Sequence, residues 1–122
     1  MLLVEDNAIN QMVAKGMLSK LGCDVVLANH GAEALSRLEH EAVDLVLMDC
    51  NMPIMDGYEA TRRIRQGGRN SALPIIALTA NALPEERDRC RAAGMNDYLA
   101  KPFRREELAA LLDQWLTASA VR

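Results

Sequence analysis

The chain has 122 residues, of which 50% are apolar and 25% charged, which fits one globular domain with its own core and excludes a disordered chain. Its 17 acidic residues outnumber its 14 basic ones, which disfavours a nucleic-acid-binding protein. Its three cysteines form no CxxC pair, so neither a disulfide framework nor a zinc site is predicted.

Short apolar runs alternate with longer polar segments along the whole chain. The strand candidates are Leu2–Val4, Val25–Ala28, Val43–Met48, Pro74–Leu78 and Asp97–Ala100. Three of these runs lack polar alternation, which is typical of strands buried on both faces of a parallel sheet.

The segments between these runs have helical spacing. They are marked in chain order by Ile9, Met12, Val13, Gly16 and Met17; by Leu35 and Leu38; by Tyr58 to Arg65; by Pro84 to Gly94; and by Leu108, Leu111, Leu112, Trp115 and Leu116. Asn7 is the N-cap candidate of the first helix, and Gly22 marks its end. The alternation of strands and helices predicts a single domain with a three-layer, doubly wound α/β fold and right-handed crossovers.

Chemically distinctive side chains follow four of the five strand candidates. Glu5 and Asp6 come after the first run, Asp49 after the third, Thr79 after the fourth and Lys101 after the fifth. Ligands of open α/β sheets bind outside the carboxyl ends of the strands. We therefore expect these five residues to form one site.

This set of side chains indicates a metal-assisted phosphoryl site. Three carboxylates in one crevice repel one another, and a hard divalent ion such as Mg²⁺ relieves that repulsion. A lysine ammonium and a threonine hydroxyl suit the oxygens of a phosphoryl group. Together they provide what phosphoryl transfer to a carboxylate requires.

Four motifs carry a family resemblance that covers nearly the whole chain. They are Val4-Glu5-Asp6-Asn7, the stretch from Leu47 to Gly57, Leu78-Thr79-Ala80, and Tyr98 to Phe103. In this order they resemble the receiver domain of two-component response regulators. The resemblance implies a flavodoxin-like (βα)5 fold with the parallel strand order 2-1-3-4-5.

The resemblance also implies a role for each site residue. Asp49 would be the phospho-acceptor, and Glu5, Asp6, Asp49 and the backbone carbonyl of Asn51 would hold Mg²⁺ or Mn²⁺. Thr79 and Lys101 would bind the phosphoryl oxygens.

Further implied features concern switching and phosphate lifetime. Tyr98 would be the switch aromatic that responds to Thr79, and the Lys101–Pro102 peptide bond would be cis. Asn51 and Asn81 lie two residues past Asp49 and Thr79, where we expect them to modulate the attack of water on the phosphoryl group.

Other features indicate a receiver attached to a hybrid sensor histidine kinase. The pattern Val-Glu-Asp-Asn-x-x-Asn-Gln and the final Leu108–Leu116 stretch resemble such receivers, and the chain begins almost on its first strand. We therefore expect Met1 to be a boundary inside a longer protein, and the alternative is a stand-alone regulator.

The same resemblance sets expectations for partners and location. The expected partners are a histidine phosphotransfer domain or a kinase dimerisation domain, with no nucleic acid, and the domain would be a monomer or a weak dimer. No apolar run approaches the roughly 18 residues of a membrane span, so we expect a cytoplasmic domain without direct membrane contact. We expect the parent protein to be bacterial, and it could be anchored in the inner membrane. Its chemistry would be self-catalysed phosphorylation and dephosphorylation.

Three other functions fit the sequence less well. A phosphatase of the haloacid-dehalogenase type uses an aspartyl phosphate, but the position of its second acid is occupied by Asn51. A flavodoxin-type carrier of nucleotide or flavin lacks support because the first loop is acidic and no Gly-rich phosphate loop is present. A receiver that is not phosphorylated is disfavoured by the complete set of site residues.

Overall fold

The computed structural model describes residues 1–41, 43–50, 55–66, 73–80, 83–101 and 103–120, the last five as backbone only. Within these ranges five strands alternate with five helices. They are β1 (Leu2–Val4), α1 (Ala8–Lys20), β2 (Val26–Ala28), α2 (Gly31–His40), β3 (Val46–Asp49), α3 (Gly57–Gln66), β4 (Ile75–Thr79), α4 (Pro84–Ala93), β5 (Asp97–Ala100) and α5 (Arg105–Ala120). The predicted alternation of strands and helices is confirmed.

The five strands form one parallel sheet in the order β2-β1-β3-β4-β5. Leu3 of β1 lies opposite Leu27 on one side and Leu47 on the other. This order confirms the doubly wound, flavodoxin-like prediction. Because all strands run the same way, their carboxyl ends meet at a single edge of the sheet.

Two apolar clusters cover the two faces of the sheet and give the fold its three layers. The alternation within β3 separates them, since Val46 and Met48 enter one cluster and Leu47 enters the other. The first cluster includes buried residues of α2, α3 and α4, and the second includes buried residues of α1 and α5. Removal of this apolar area from water is the main force that holds the helices on the sheet.

The ends of α1 and α4 follow the predicted capping chemistry. The Asn7 side chain accepts hydrogen bonds from the backbone N–H groups of Ile9 and Asn10, at 2.9 and 3.1 Å. Pro84 opens α4, and Gly94 ends it in the left-handed region with φ 104°. Within the described ranges, no helix has the length and apolar character needed to cross a membrane.

Of the apolar residues that predicted α1, Met17 packs against the second cluster, whereas the first three face solvent. Ile9, Met12 and Val13 are 72%, 74% and 53% exposed. Ala14 and Leu18, one turn apart, are buried instead and enter the second cluster. The helix is therefore confirmed, and Ile9, Met12 and Val13 form an exposed apolar surface on α1.

Candidate functional site

The predicted site residues meet at the carboxyl edge of the sheet. Asp49 and Thr79 are the last residues of β3 and β4. The sequence predicted that each would directly follow its strand, so both strands end one residue later than predicted. Glu5 and Asp6 follow β1, and Lys101 follows β5. The topology therefore brings residues from four strands to one place.

The Lys101 ammonium joins two of the carboxylates. Its Nζ lies 2.9 Å from Glu5 Oε2 and 3.3 Å from Asp49 Oδ2. Glu5 and Asp49 are almost entirely buried, at 2% and 4% exposure. Buried carboxylates require partners of this kind because removing a charge from water is costly.

The second oxygen of Glu5 is held by the start of α1. Glu5 Oε1 accepts hydrogen bonds from the Asn7 backbone N–H at 3.2 Å and from Asn10 Nδ2 at 3.4 Å. Burial alone would raise the pKa of Glu5, but the Lys101 ammonium and these donors outweigh burial and hold that pKa below its ordinary value. Glu5 is therefore ionised at neutral pH.

The same contacts shift the pKa of Lys101 in the opposite direction. Burial alone would lower the pKa of Lys101, but its hydrogen bond to Glu5 and the negative charges of Asp49 and Glu5 raise that pKa above its ordinary value. Lys101 therefore stays a cation at neutral pH.

The carboxylates fit a divalent metal ion. Glu5, Asp6 and Asp49 each offer an oxygen atom, and these atoms lie within 4.8 Å of one another. Three carboxylates against one ammonium leave two negative charges, which a divalent cation neutralises. An all-oxygen donor set of this size is what Mg²⁺ prefers in proteins.

Thr79 and Tyr98 lie on the two strands beside the site. Thr79 is buried, and its carbonyl accepts a hydrogen bond from the Lys101 backbone N–H at 2.7 Å. Tyr98 is half-buried, and the Arg87 guanidinium lies 4.8 Å from the centre of its ring. Asn51, Asn81 and Pro102, together with the predicted cis bond, lie outside the described residues.

Sequence reasoning assigned no role to Asn10, Gln11 or His30. Gln11 Nε2 donates to the Glu5 carbonyl and, at 2.8 Å, to Asn29 Oδ1, so it joins the end of β1 to the β2–α2 connection. His30 caps α2 by accepting from the Glu33 backbone N–H at 3.2 Å. Asn10 and Gln11 lie in the first turn of α1, which directly follows the end of β1. Their amide side chains at that position are the sequence feature that could have identified them.

A cleft of about 460 Å³ opens beside the ion pair. Glu5, Asn10 and Lys101 line its polar side, and Val13, Met17 and Phe103 are among its apolar residues. The site is therefore reachable from solvent along the α1 surface.

The chain matches the response regulator receiver domain family over residues 1–113. The chain belongs to this family. The receiver domain resembles the sensor histidine kinase RcsC of Salmonella typhi, at 45% identity over 111 residues, which is 91% of this chain and 12% of RcsC. It therefore spans only a small part of that relative's length.

Two solved structures of receiver domains are also similar. The receiver domain of the sensor histidine kinase PA1611 from Pseudomonas aeruginosa PAO1 matches with 52% identity, a TM-score of 0.89 and 95% coverage of each chain, and that structure has a magnesium ion coordinated in the active site cleft. A co-crystal structure of the Saccharomyces cerevisiae histidine phosphotransfer signaling protein Ypd1 with the receiver domain of the response regulator Ssk1 matches with 30% identity and a TM-score of 0.91, covering 98% of this chain and 89% of that chain.

Proposed function

We propose that this receiver domain accepts a phosphoryl group on Asp49 from a phosphohistidine in a Mg²⁺-dependent reaction. The observation that carries the proposal is the contact of the Lys101 ammonium with Asp49 and Glu5 at the edge where four strands end. This arrangement places a nucleophilic carboxylate beside a fixed cation and a group of metal-binding oxygens.

Each residue has a defined part in the proposed transfer. An Asp49 oxygen forms the new bond to phosphorus while the bond between phosphorus and the donor imidazole nitrogen breaks, and the imidazole keeps the electron pair. Lys101 offers its charge to the phosphoryl oxygens, and the Thr79 hydroxyl donates to one of them. Catalysis of this kind consists mainly of positioning and charge stabilisation.

Glu5, Asp6 and Asp49 would hold the metal ion, with the backbone carbonyl of Asn51 as a further ligand. Bound Mg²⁺ would neutralise the charge that accumulates between the carboxylates and the incoming phosphoryl group. Mn²⁺ has the same charge and accepts the same oxygen donors, so it should replace Mg²⁺.

The proposed donor is a histidine phosphotransfer domain or a kinase dimerisation domain. The exposed apolar residues Ile9, Met12 and Val13 lie on α1, which starts two residues after Asp6. An apolar surface beside the acceptor suits a helical donor whose imidazole must reach Asp49. The similarity to a receiver crystallised with a histidine phosphotransfer protein supports this class of partner.

The proposed parent protein is a hybrid sensor histidine kinase, and the domain would be cytoplasmic. Phosphorylation would draw in the Thr79 hydroxyl and let Tyr98 fill the vacated space, and so change the surface formed by α4 and α5. Asn51 and Asn81 would set the rate of autodephosphorylation, and a cis Lys101–Pro102 bond would aim the lysine at the site.

Phosphorylation by a small donor tests the proposal. Incubation with acetyl phosphate and Mg²⁺ should add one phosphoryl group to the wild-type chain, measured as intact mass, and a chelator should prevent it. Asp49→Asn should not be labelled. Asp56→Asn is the matched control, because Asp56 lies seven residues later in the same connection and caps α3 through the Glu59 N–H at 2.9 Å. Full labelling of Asp49→Asn would contradict the proposal.

A further inference from the structure

Both tyrosines of the chain face arginines of α4. The Arg87 guanidinium lies 4.8 Å from the ring centre of Tyr98, and the Arg89 guanidinium lies 4.1 Å from that of Tyr58. Two residues along an α-helix correspond to a rotation of about 200°, so these arginines lie on opposite flanks of α4. One tyrosine comes from β5 and the other from α3, and α4 lies between them.

Tyr58 is close to the acceptor through the backbone. It follows Gly57, whose N–H donates to the Cys50 carbonyl at 3.3 Å. A Cβ atom at Gly57 would lie 2.3 Å from the carbonyl oxygen of Asp49, so the two backbones are in close contact. A displacement of the Asp49 or Cys50 backbone therefore reaches Tyr58 directly.

Tyr58 also makes a polar connection from α3 to α4. Its ring is buried in the first apolar cluster, and its hydroxyl donates to Glu86 Oε1. A hydrogen bond to a carboxylate is stronger than one between neutral groups, and the stacked Arg89 adds a cation–π contact on the same ring.

The helix that Tyr58 contacts presents few buried residues to the core, and its other described anchors are the contact of Cys90 with Cys50, the hydrogen bond from Arg65 to the Gly94 carbonyl and the packing of Arg87 on Tyr98. Only Cys90 and Ala93 of α4 are buried, and its N-cap residue Leu83 makes no side-chain capping bond. A short, polar helix of this kind depends on specific contacts for its position.

We propose that Tyr58 is a positioning residue that couples the Asp49 segment to α4 through Glu86 and Arg89, on the flank opposite Tyr98. The inference rests on the proposed function, since it takes Asp49 as the group that changes state. α4 then responds to the acceptor through two routes, of which one passes through β5 and the other through α3. The affinity of a partner that binds the α4 surface would therefore depend on both routes.

Amide NMR shifts with Mg²⁺ and beryllofluoride, a stand-in for the phosphoryl group on Asp49, test the coupling. Tyr58→Phe removes the hydroxyl and keeps the buried ring, and Glu86→Ala removes its acceptor at the surface without touching the core. In both variants the ligand-induced shift changes of residues 85–93 should fall to about half or less, while those of Asp49 and Cys50 persist. The double variant should lose no more than either single variant. Glu85→Ala, at an exposed acid of the same helical turn, should respond like the wild type.

The outcomes separate this inference from the proposed function. Undiminished shift changes in α4 of Tyr58→Phe and Glu86→Ala, with normal changes at Asp49, would overturn the coupling alone. Additive losses in the double variant would also overturn it, since they would show two independent effects. Absence of any change at Asp49 in the wild type would overturn the coupling and the proposed function together.

Discussion

Glu5 shows how a single side chain organises the site. Its longer side chain, compared with aspartate, spans from the start of α1 to Lys101, so one oxygen binds α1 and the other binds the residue after β5. Three elements therefore meet on one buried carboxylate. The contact between Glu5 and Lys101 joins residues 96 positions apart, and so links the carboxyl ends of β1 and β5.

The pKa directions of Glu5 and Lys101 predict how this ion pair depends on pH. The pKa of Glu5 lies below its ordinary 4.5, so its contribution to stability is full above pH 4.5 and is lost as pH falls through the lowered pKa. The pKa of Lys101 lies above its ordinary 10.5, so its contribution is full below pH 10.5 and is lost as pH rises through the raised pKa.

Urea unfolding of the wild type and of Glu5→Gln, in a chelator, measures this dependence. The difference in the free energy of unfolding between the two proteins should change little between neutral pH and pH 4.5, and the wild type should lose stability relative to the variant below that pH. A difference that stays constant down to pH 2 would show that Glu5 has no lowered pKa in the fold.

At the scale of elements, the close approach of α3 to β3 limits position 57. Because a Cβ atom there would lie 2.3 Å from the Asp49 carbonyl oxygen, Gly57→Ala should destabilise the domain by about 2–3 kcal/mol or more. Gly16 is the matched control, because a Cβ atom there meets nothing within 4 Å and the residue is an exposed position inside α1. Gly16→Ala should stabilise the domain by about 0.5–1 kcal/mol.

Urea or thermal unfolding of the two variants gives the comparison. Equal stabilities of Gly57→Ala and the wild type would mean that α3 moves away from β3 at no cost, and the described contact would then not be a constraint.

The exposed apolar surface of α1 leads to a prediction about the donor. Ile9→Asp should slow phosphoryl transfer from a histidine phosphotransfer protein and leave labelling by acetyl phosphate unchanged, because in the proposed docking only the protein donor would contact that surface. We expect a small interface at the low end of the specific range, about 1,200 Å². Transfer rates from both donors provide the measurement.

Leu83→Asp is the control for this prediction, since Leu83 is also a large exposed apolar residue but precedes α4. It should transfer like the wild type. Equal losses of Ile9→Asp with both donors would mean that Ile9 supports the fold or the metal site instead of docking.

The α1 helix also shows where sequence patterns are insufficient. Apolar residues occur almost all around it, so the spacing that predicts a helix does not identify the side that meets the sheet. Packing decides this, because Ala14 and Leu18 are buried in the second cluster while Ile9 and Met12 remain exposed. The strand ends were easier to predict, since each polar residue directly follows an apolar run.

For the whole molecule, topology explains why the site was predictable from sequence and its supporting contacts were not. Parallel strands with helical crossovers must bring Glu5, Asp49, Thr79 and Lys101 to one edge, so the order of motifs is sufficient. The bond from Tyr58 to Glu86 joins residues 28 positions apart on two helices. Its formation depends on the relative placement of α3 and α4, which no local pattern specifies.

The most direct test of the central claim is chemical mapping of the phosphorylated residue. Borohydride reduces an aspartyl phosphate to homoserine, so peptide mass spectrometry after reaction with acetyl phosphate, Mg²⁺ and then borohydride identifies the acceptor. We predict homoserine at position 49 and at no other aspartate. Phosphate on His30 or His40, or homoserine at Asp6 or Asp56 with Asp49 intact, would contradict it.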